Sequence, residues 1–168
     1  MTQMRTSLAV ASPASIILRA AVSSPFPEEL PMPSTLEGGC ACGAVRYRID
    51  AEPLATVVCH CTDCQVQSGG AFSMTMVVRS DSLKILSGIP KSFLRTSDNG
   101  NQLECFFCPD CGARLYNDNH GAPGTFNVKP GTLDDRSWLQ PVMHVWVRSK
   151  QPWVPIPDGA ERFDENPG

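Results

Sequence analysis

Eight cysteines dominate this chain, seven of them in three tight groups. Cys40 and Cys42 form C-x-C, Cys59, Cys61 and Cys64 form C-H-C-x-x-C, and Cys108 and Cys111 form C-x-x-C. Cys105 stands alone three residues before the last pair. Thiolates this close repel one another unless a cation holds them, and zinc is the usual solution. Disulfides fit less well, because partners two residues apart bridge poorly and disulfide scaffolds are usually shorter. Seven clustered ligands fill one closed four-ligand site and leave three. A closed site builds structure, and a three-ligand site keeps a position open for chemistry.

The length of 168 residues suits one domain with a tail. Apolar content of 42% supplies a core, while 18% charged residues, 15 prolines and 13 glycines favour a loop-rich all-β fold over a helical bundle. The formal charge of -3 would become roughly -6 with two thiolate-bound zincs. No basic stripe with interleaved aromatics is present, so no nucleic-acid partner is expected. No apolar run is long enough to span a membrane, and a cytoplasmic location is expected.

Residues 1–36 differ in composition from the remainder. They carry Arg5 and Arg19, many Ser and Ala, and no acid before Glu28. They read as a disordered N-terminal extension or a start-site artefact, with Met32 as the alternative start, and a targeting peptide is the competing reading. The zinc domain is expected over residues 37–168. Within it, short β-prone runs fall at 44–49, 54–61, 72–78, 83–86, 92–96, 103–107, 114–117, 125–129 and 142–147, punctuated by Gly and Pro. Only 63–67 reads as a helical turn.

Residues i and i+2 of a strand share a face. Extended backbone would therefore aim Cys40 with Cys42, and Cys59 with Cys61, while turning His60 away. The simplest assignment closes one site with Cys40, Cys42, Cys108 and Cys111, leaving Cys59, Cys61 and Cys64 for the other. The swapped pairing remains open at this level. A vacant position beside three thiolates suits an incoming thiol, which zinc would hold ionised near neutral pH. Water, Cys105 or substrate could complete that site. A small buried Cys105 and a loop position for His120 are the plain readings. Thiol–disulfide redox at Cys108 and Cys111 ranks last.

The motifs G-G-C-A-C-G-A-V-R-Y (38–47), C-H-C-T-D-C (59–64), F-S-M (72–74) and F-C-P-D-C-G (107–112) resemble the glutathione-dependent formaldehyde-activating and centromere protein V family. P-G-T-L-D-D (130–135), H-V-W (144–146) and S-K-Q-P-W (149–153) extend the likeness. The resemblance implies an Mss4-like β-tent of small antiparallel sheets organised around zinc. It implies a structural zinc on Cys40, Cys42, Cys108 and Cys111, and a catalytic zinc on Cys59, Cys61 and Cys64. It also implies a carbon–sulfur lyase handling a thiol–aldehyde adduct, such as S-(hydroxymethyl)glutathione from formaldehyde and glutathione. His60 would orient a ligand or relay a proton, and Asp63, Gln65 and Ser68 would neighbour the cosubstrate. The alternative is a non-catalytic zinc scaffold that presents a surface to a protein partner. Lys129 reads as a surface lysine within reach of a glutathione carboxylate. His144 and Trp146 are expected on one strand face, Trp153 is expected to pin the C-terminal segment, and residues 157–168 are expected to be loosely held. Nothing fixes the oligomeric state.

Overall fold

The computed structural model describes residues 35–97 and 100–167, so nearly all of the expected extension lies outside the described residues. The fold is all-β. A three-stranded sheet runs in the order β1 (Leu36–Gly39), β2 (Arg46–Ile49), β5 (Leu83–Ser87). An eight-stranded sheet comprises β11 (Glu161–Arg162), β10 (Met143–Val145), β3 (Ala55–Cys59), β4 (Ser73–Arg79), β9 (Thr125–Val128), β8 (Arg114–Asn119), β7 (Gln102–Phe107) and β6 (Lys91–Thr96), in that order. One short helix, α1 (Thr62–Ser68), joins β3 to β4. The nine expected β runs are all strands. The larger sheet is broader than expected, and β10 pairs in parallel with both β3 and β11.

Period-2 alternation gives the eight-stranded sheet two unlike faces. One row runs straight across its ladders as Thr56, Met76, Val128, Tyr116 and Phe106. Met76 and Val128 are fully buried, and the Phe106 and Tyr116 rings stack 4.4 Å apart. This face meets Tyr47 and Ile49 of β2 and Val45 before it, forming one core with Leu36, Leu115, Leu133 and Trp138. The adjacent row, Val77, Asn127, Asn117 and Cys105, points the other way and is largely polar.

Gly38 is the joint between the sheets. It bridges to Leu133, and a Cβ there would lie 2.5 Å from Tyr47 Oη and 2.6 Å from the Thr132 carbonyl oxygen. Tyr47 Oη bonds Thr132 Oγ1 at 2.7 Å, so the missing side chain makes room for this contact. Leu36, the first residue of β1, is buried in the core.

The C-terminal tail is docked, contrary to expectation. The amide of Glu161 donates to Val142 O, that of Phe163 to His144 O, that of Val147 to Phe163 O, and that of Trp146 to Glu165 O. Trp153 does not pin this segment, being 74% exposed; the neighbouring Val154 is the buried residue. Trp146 leaves the strand in the left-handed region, with φ 57° and ψ 41°, so it does not continue the face of His144. Its indole Nε1 donates instead to Asn166 Oδ1 at 3.1 Å, and the Arg148 guanidinium lies 4.7 Å above the ring centroid. An aromatic residue with positive φ is strained, and the tail contacts hold it there. Truncation after Gly159 removes these hydrogen bonds. It should lower stability by about 2–4 kcal/mol, read as a shifted urea midpoint; an unchanged midpoint would show that the tail contributes nothing.

Candidate metal centres

The first cluster is built from two similar turns. After β1, the Cys40 amide donates to Val45 O at 3.0 Å and the Gly43 amide to Cys40 O at 3.1 Å. After β7, the Cys108 amide donates to Ala113 O at 2.9 Å and the Gly112 amide to Cys108 O at 2.9 Å. Gly43 and Gly112 have φ of 78° and 72°, a region that costs glycine little. Cys40 and Cys42 therefore converge through a turn and not through strand alternation. Their sulfurs lie 3.4 Å apart, and Cys42 Sγ lies 3.7 Å from Cys108 Sγ. With Cys111 they form a four-sulfur group within 4.8 Å.

Four thiolates around a tetrahedral ion with bonds of about 2.3 Å would sit about 3.8 Å apart, so this donor set fits such an ion. Protons alone divide the charge unevenly. Burial pushes the Cys40 thiol up, but the Val45 amide and the neighbouring thiols outweigh it and hold the group at about 6. The Ala44 amide favours the Cys42 thiolate, yet Cys40 and Cys111 drive that thiol up to about 12. A bound cation would let all four ionise together. All eight cysteines are free thiols.

The second cluster sits on the polar face of the large sheet. Cys59 ends β3 directly opposite Ser73 of β4. Cys61 is the N-cap of α1, where its extended backbone lets Sγ accept the Cys64 amide at 3.3 Å. Gly69, left-handed with φ 64°, ends the helix after two turns. The sulfurs of Cys59, Cys61 and Cys64 lie within 4.8 Å of one another. Hydrogen bonds from Cys59 and Cys64 hold the Cys61 thiol down at about 2, and the same contact drives Cys59 far up. Three sulfurs that concentrate one negative charge suit a cation with a further position open. Cys105 does not belong to this group: it is 1% exposed, and Arg114 Nη2 approaches its sulfur at 3.9 Å. His120 is exposed in the turn after β8.

The residues between these ligands brace the loop. His60 is fully buried, and its Nε2 lies 2.9 Å from Nδ1 of His144 with the rings stacked. Its amide donates to Val145 O at 3.0 Å. Gln65 Nε2 donates to His60 O at 2.7 Å and to Ser149 O at 2.9 Å, while Gln65 Oε1 accepts from Gln151. Ser68 closes the helix by donating to Gln65 O and Phe72 O. Burial lowers the pKa of His60, and burial followed by the charge of His60 takes His144 to about 4. Two neutral rings can then share one proton as donor and acceptor. His60 thus packs inward against His144 and Phe72.

Three cations on this face carry little sequence signal. Arg95 of β6 pairs with Asp63 at 2.6 Å. Arg114 opens β8, where the ladder to β7 shifts between Phe106 and Phe107. Residues three apart on a regular strand point to opposite faces, but this irregularity brings Arg114 Nη2 within 3.1 Å of Asn117 Oδ1. Lys129 is not a surface lysine. Its Nζ donates to Ser73 Oγ and Thr75 Oγ1, each at 3.2 Å, and burial followed by repulsion from Arg114 pushes it down to about 8. Among the described residues no helix is long and apolar enough to cross a membrane.

A candidate glutathione-dependent formaldehyde-activating enzyme of Halomonas elongata is 26% identical over 126 residues, covering 72% of this chain and 80% of that protein. A protein of Penicillium rubens with the same description is 26% identical over 113 residues, 66% of this chain and 58% of that protein. A crystal structure of a Rhodobacter sphaeroides protein superposes with a TM-score of 0.47 at 22% identity, covering 58% of this chain and 87% of the other. The family model of the glutathione-dependent formaldehyde-activating enzyme matches residues 35–149, which hold both cysteine clusters and the His60–His144 pair. The chain therefore belongs to the glutathione-dependent formaldehyde-activating enzyme family.

Proposed function

We propose that the protein is a zinc-dependent enzyme that joins a thiol to a small aldehyde, or cleaves such an adduct at its carbon–sulfur bond. Glutathione and formaldehyde are the pair indicated by the family and by the names of its relatives. One observation carries this reading. The three sulfurs of Cys59, Cys61 and Cys64 converge with no fourth His, Cys, Asp or Glu in their group among the described residues, although a complete four-cysteine cluster exists elsewhere in the domain. Zinc held by the three would supply a position at which a thiol ionises near neutral pH, where a free thiol of pKa about 8.5 is mostly protonated. A second zinc on Cys40, Cys42, Cys108 and Cys111 would serve folding.

The chain's own residues hold this site in shape. The Gln65 amide fixes the carbonyl of His60 midway between Cys59 and Cys61. The His60–His144 contact and the bond to Val145 O anchor the same loop from below. The overall chemistry is RSH + HCHO giving RS–CH2OH: a carbon–sulfur bond forms, and the thiol proton ends on the former carbonyl oxygen. The reverse direction is the lyase reaction. A non-catalytic scaffold is the second reading, favoured by exposed Leu86 and Leu94 on the edge strands β5 and β6 and exposed Ile89 between them.

Zinc per chain, measured with and without mild chelator and glutathione, separates the two. Two zincs are expected, one released by chelator and protected by glutathione; a single inert zinc, or two indifferent to both reagents, would leave the scaffold. Cys61→Ser should reduce adduct formation from labelled formaldehyde and glutathione by about 100-fold or more while preserving the fold. Cys108→Ser should instead lower the melting temperature and the zinc content, because its sulfur is buried where the two turns meet.

A further inference from the structure

Lys129 and Arg114 are two cations whose placement the fold alone does not explain. Ser73 faces Cys59 across the β3–β4 ladder and accepts a hydrogen bond from Lys129 Nζ. The ammonium therefore contacts the side chain that sits across the ladder from Cys59. Arg114 reaches the same face through the ladder irregularity, and its Nε is buried without a partner. Neither residue forms an ion pair with a carboxylate among the described residues, and Asp63, the acid inside the cysteine motif, is taken by Arg95. The groups beside them are sulfurs: Arg114 Nη2 lies 3.9 Å from Cys105 Sγ, and Ser73, which takes the Lys129 ammonium, is paired with Cys59 across the ladder. Two half-buried cations that repel each other favour compensating negative charge nearby.

Charge balance indicates what supplies it. Three thiolates and a divalent ion carry one net negative charge, which leaves the cation pair in excess if the fourth ligand is neutral. An anionic fourth ligand brings the two sides level. We propose that Lys129 and Arg114 make the open position of the Cys59–Cys61–Cys64 site selective for a thiolate over a neutral ligand. This rests on the reading of that cluster as an open metal site. It goes further in assigning the selectivity to two residues that touch none of the proposed metal-binding sulfurs by hydrogen bond.

The test uses the full chain loaded with cobalt(II), whose sulfur-to-metal absorption reports thiol uptake. 2-Mercaptoethanol is the probe because it has no carboxylate of its own, and imidazole is the neutral comparison. Wild type should prefer the thiol. Lys129→Met should weaken thiol uptake by about tenfold or more and leave imidazole uptake within about twofold, while Lys129→Arg restores most of the loss. Equal thiol affinity in wild type and Lys129→Met overturns the proposal, as does an equal loss for both ligands or no thiol uptake by wild type. Should Lys129→Met fail to load cobalt, Lys129→Gln retains donors for Ser73 and Thr75 and is read by the same criteria. Selective thiol uptake without any adduct from formaldehyde and glutathione would support the charge selectivity while removing the enzymatic reading.

Discussion

Sulfur atoms held closer than their charges allow are the constraint on which the domain depends. Cys42 and Cys108 are 66 positions apart in the chain, yet their sulfurs lie 3.7 Å apart. That contact fixes the turn after β1 to the turn after β7, and so fixes the small sheet to the large one. The tight passage at Gly38, the Tyr47–Thr132 hydrogen bond and the shared core all lie along this seam. A cation between the turns would draw the thiolates inward where protons alone leave them competing. Closing so long a loop also removes conformational freedom from the unfolded chain, a gain that grows slowly with loop length.

The large sheet then separates two environments by strand alternation alone. Its apolar face carries Met76, Val78, Val128 and Tyr116 into the core. Its polar face carries Cys59, Ser73, Lys129 and Asn117, with α1 set beside it by the C-H-C-x-x-C loop. The loop is held from the C-terminal side as well. His144, Val145, Ser149 and Gln151 all contact residues 60–65, and the docked tail in turn holds the 142–151 segment. Residues far apart in the chain thus set the geometry of the three sulfurs.

Much of this was legible in the residues. Period-2 runs and Gly–Pro punctuation located the strands, because both follow from local backbone preference. Spacing suggested four cysteines in one site and three in the other but left the swapped pairing open; the structure groups Cys40, Cys42, Cys108 and Cys111 together and Cys59, Cys61 and Cys64 together. Five features were not legible. Cys40 and Cys42 converge through a turn that Gly43 permits, where alternation implied a strand. The tail docks through backbone hydrogen bonds, which leave no mark on composition. Trp153 looked like an anchor because it is large, but the neighbouring Val154 is buried in its place. Lys129 looked solvated because nothing local reveals that Ser73 and Thr75 of another strand receive its ammonium. Arg114 was hidden for a related reason, since a ladder irregularity reverses the face that counting residues assigns it.

The two clusters share one ligand chemistry and differ in surroundings, and the surroundings bear on the roles proposed for them. In the first, four sulfurs can satisfy a tetrahedral ion, and backbone amides from Val45 and Ala44 support the thiolates. In the second, three sulfurs lie beside Lys129, Arg114 and the Arg95–Asp63 pair on a sheet face that could have been apolar. Apolar side chains would stabilise such a face more cheaply than half-buried cations do. Retaining the cations is intelligible when the negative charge they balance arrives with a ligand, in keeping with the proposal that the chemistry lies at Cys59, Cys61 and Cys64 while the other four cysteines hold the fold.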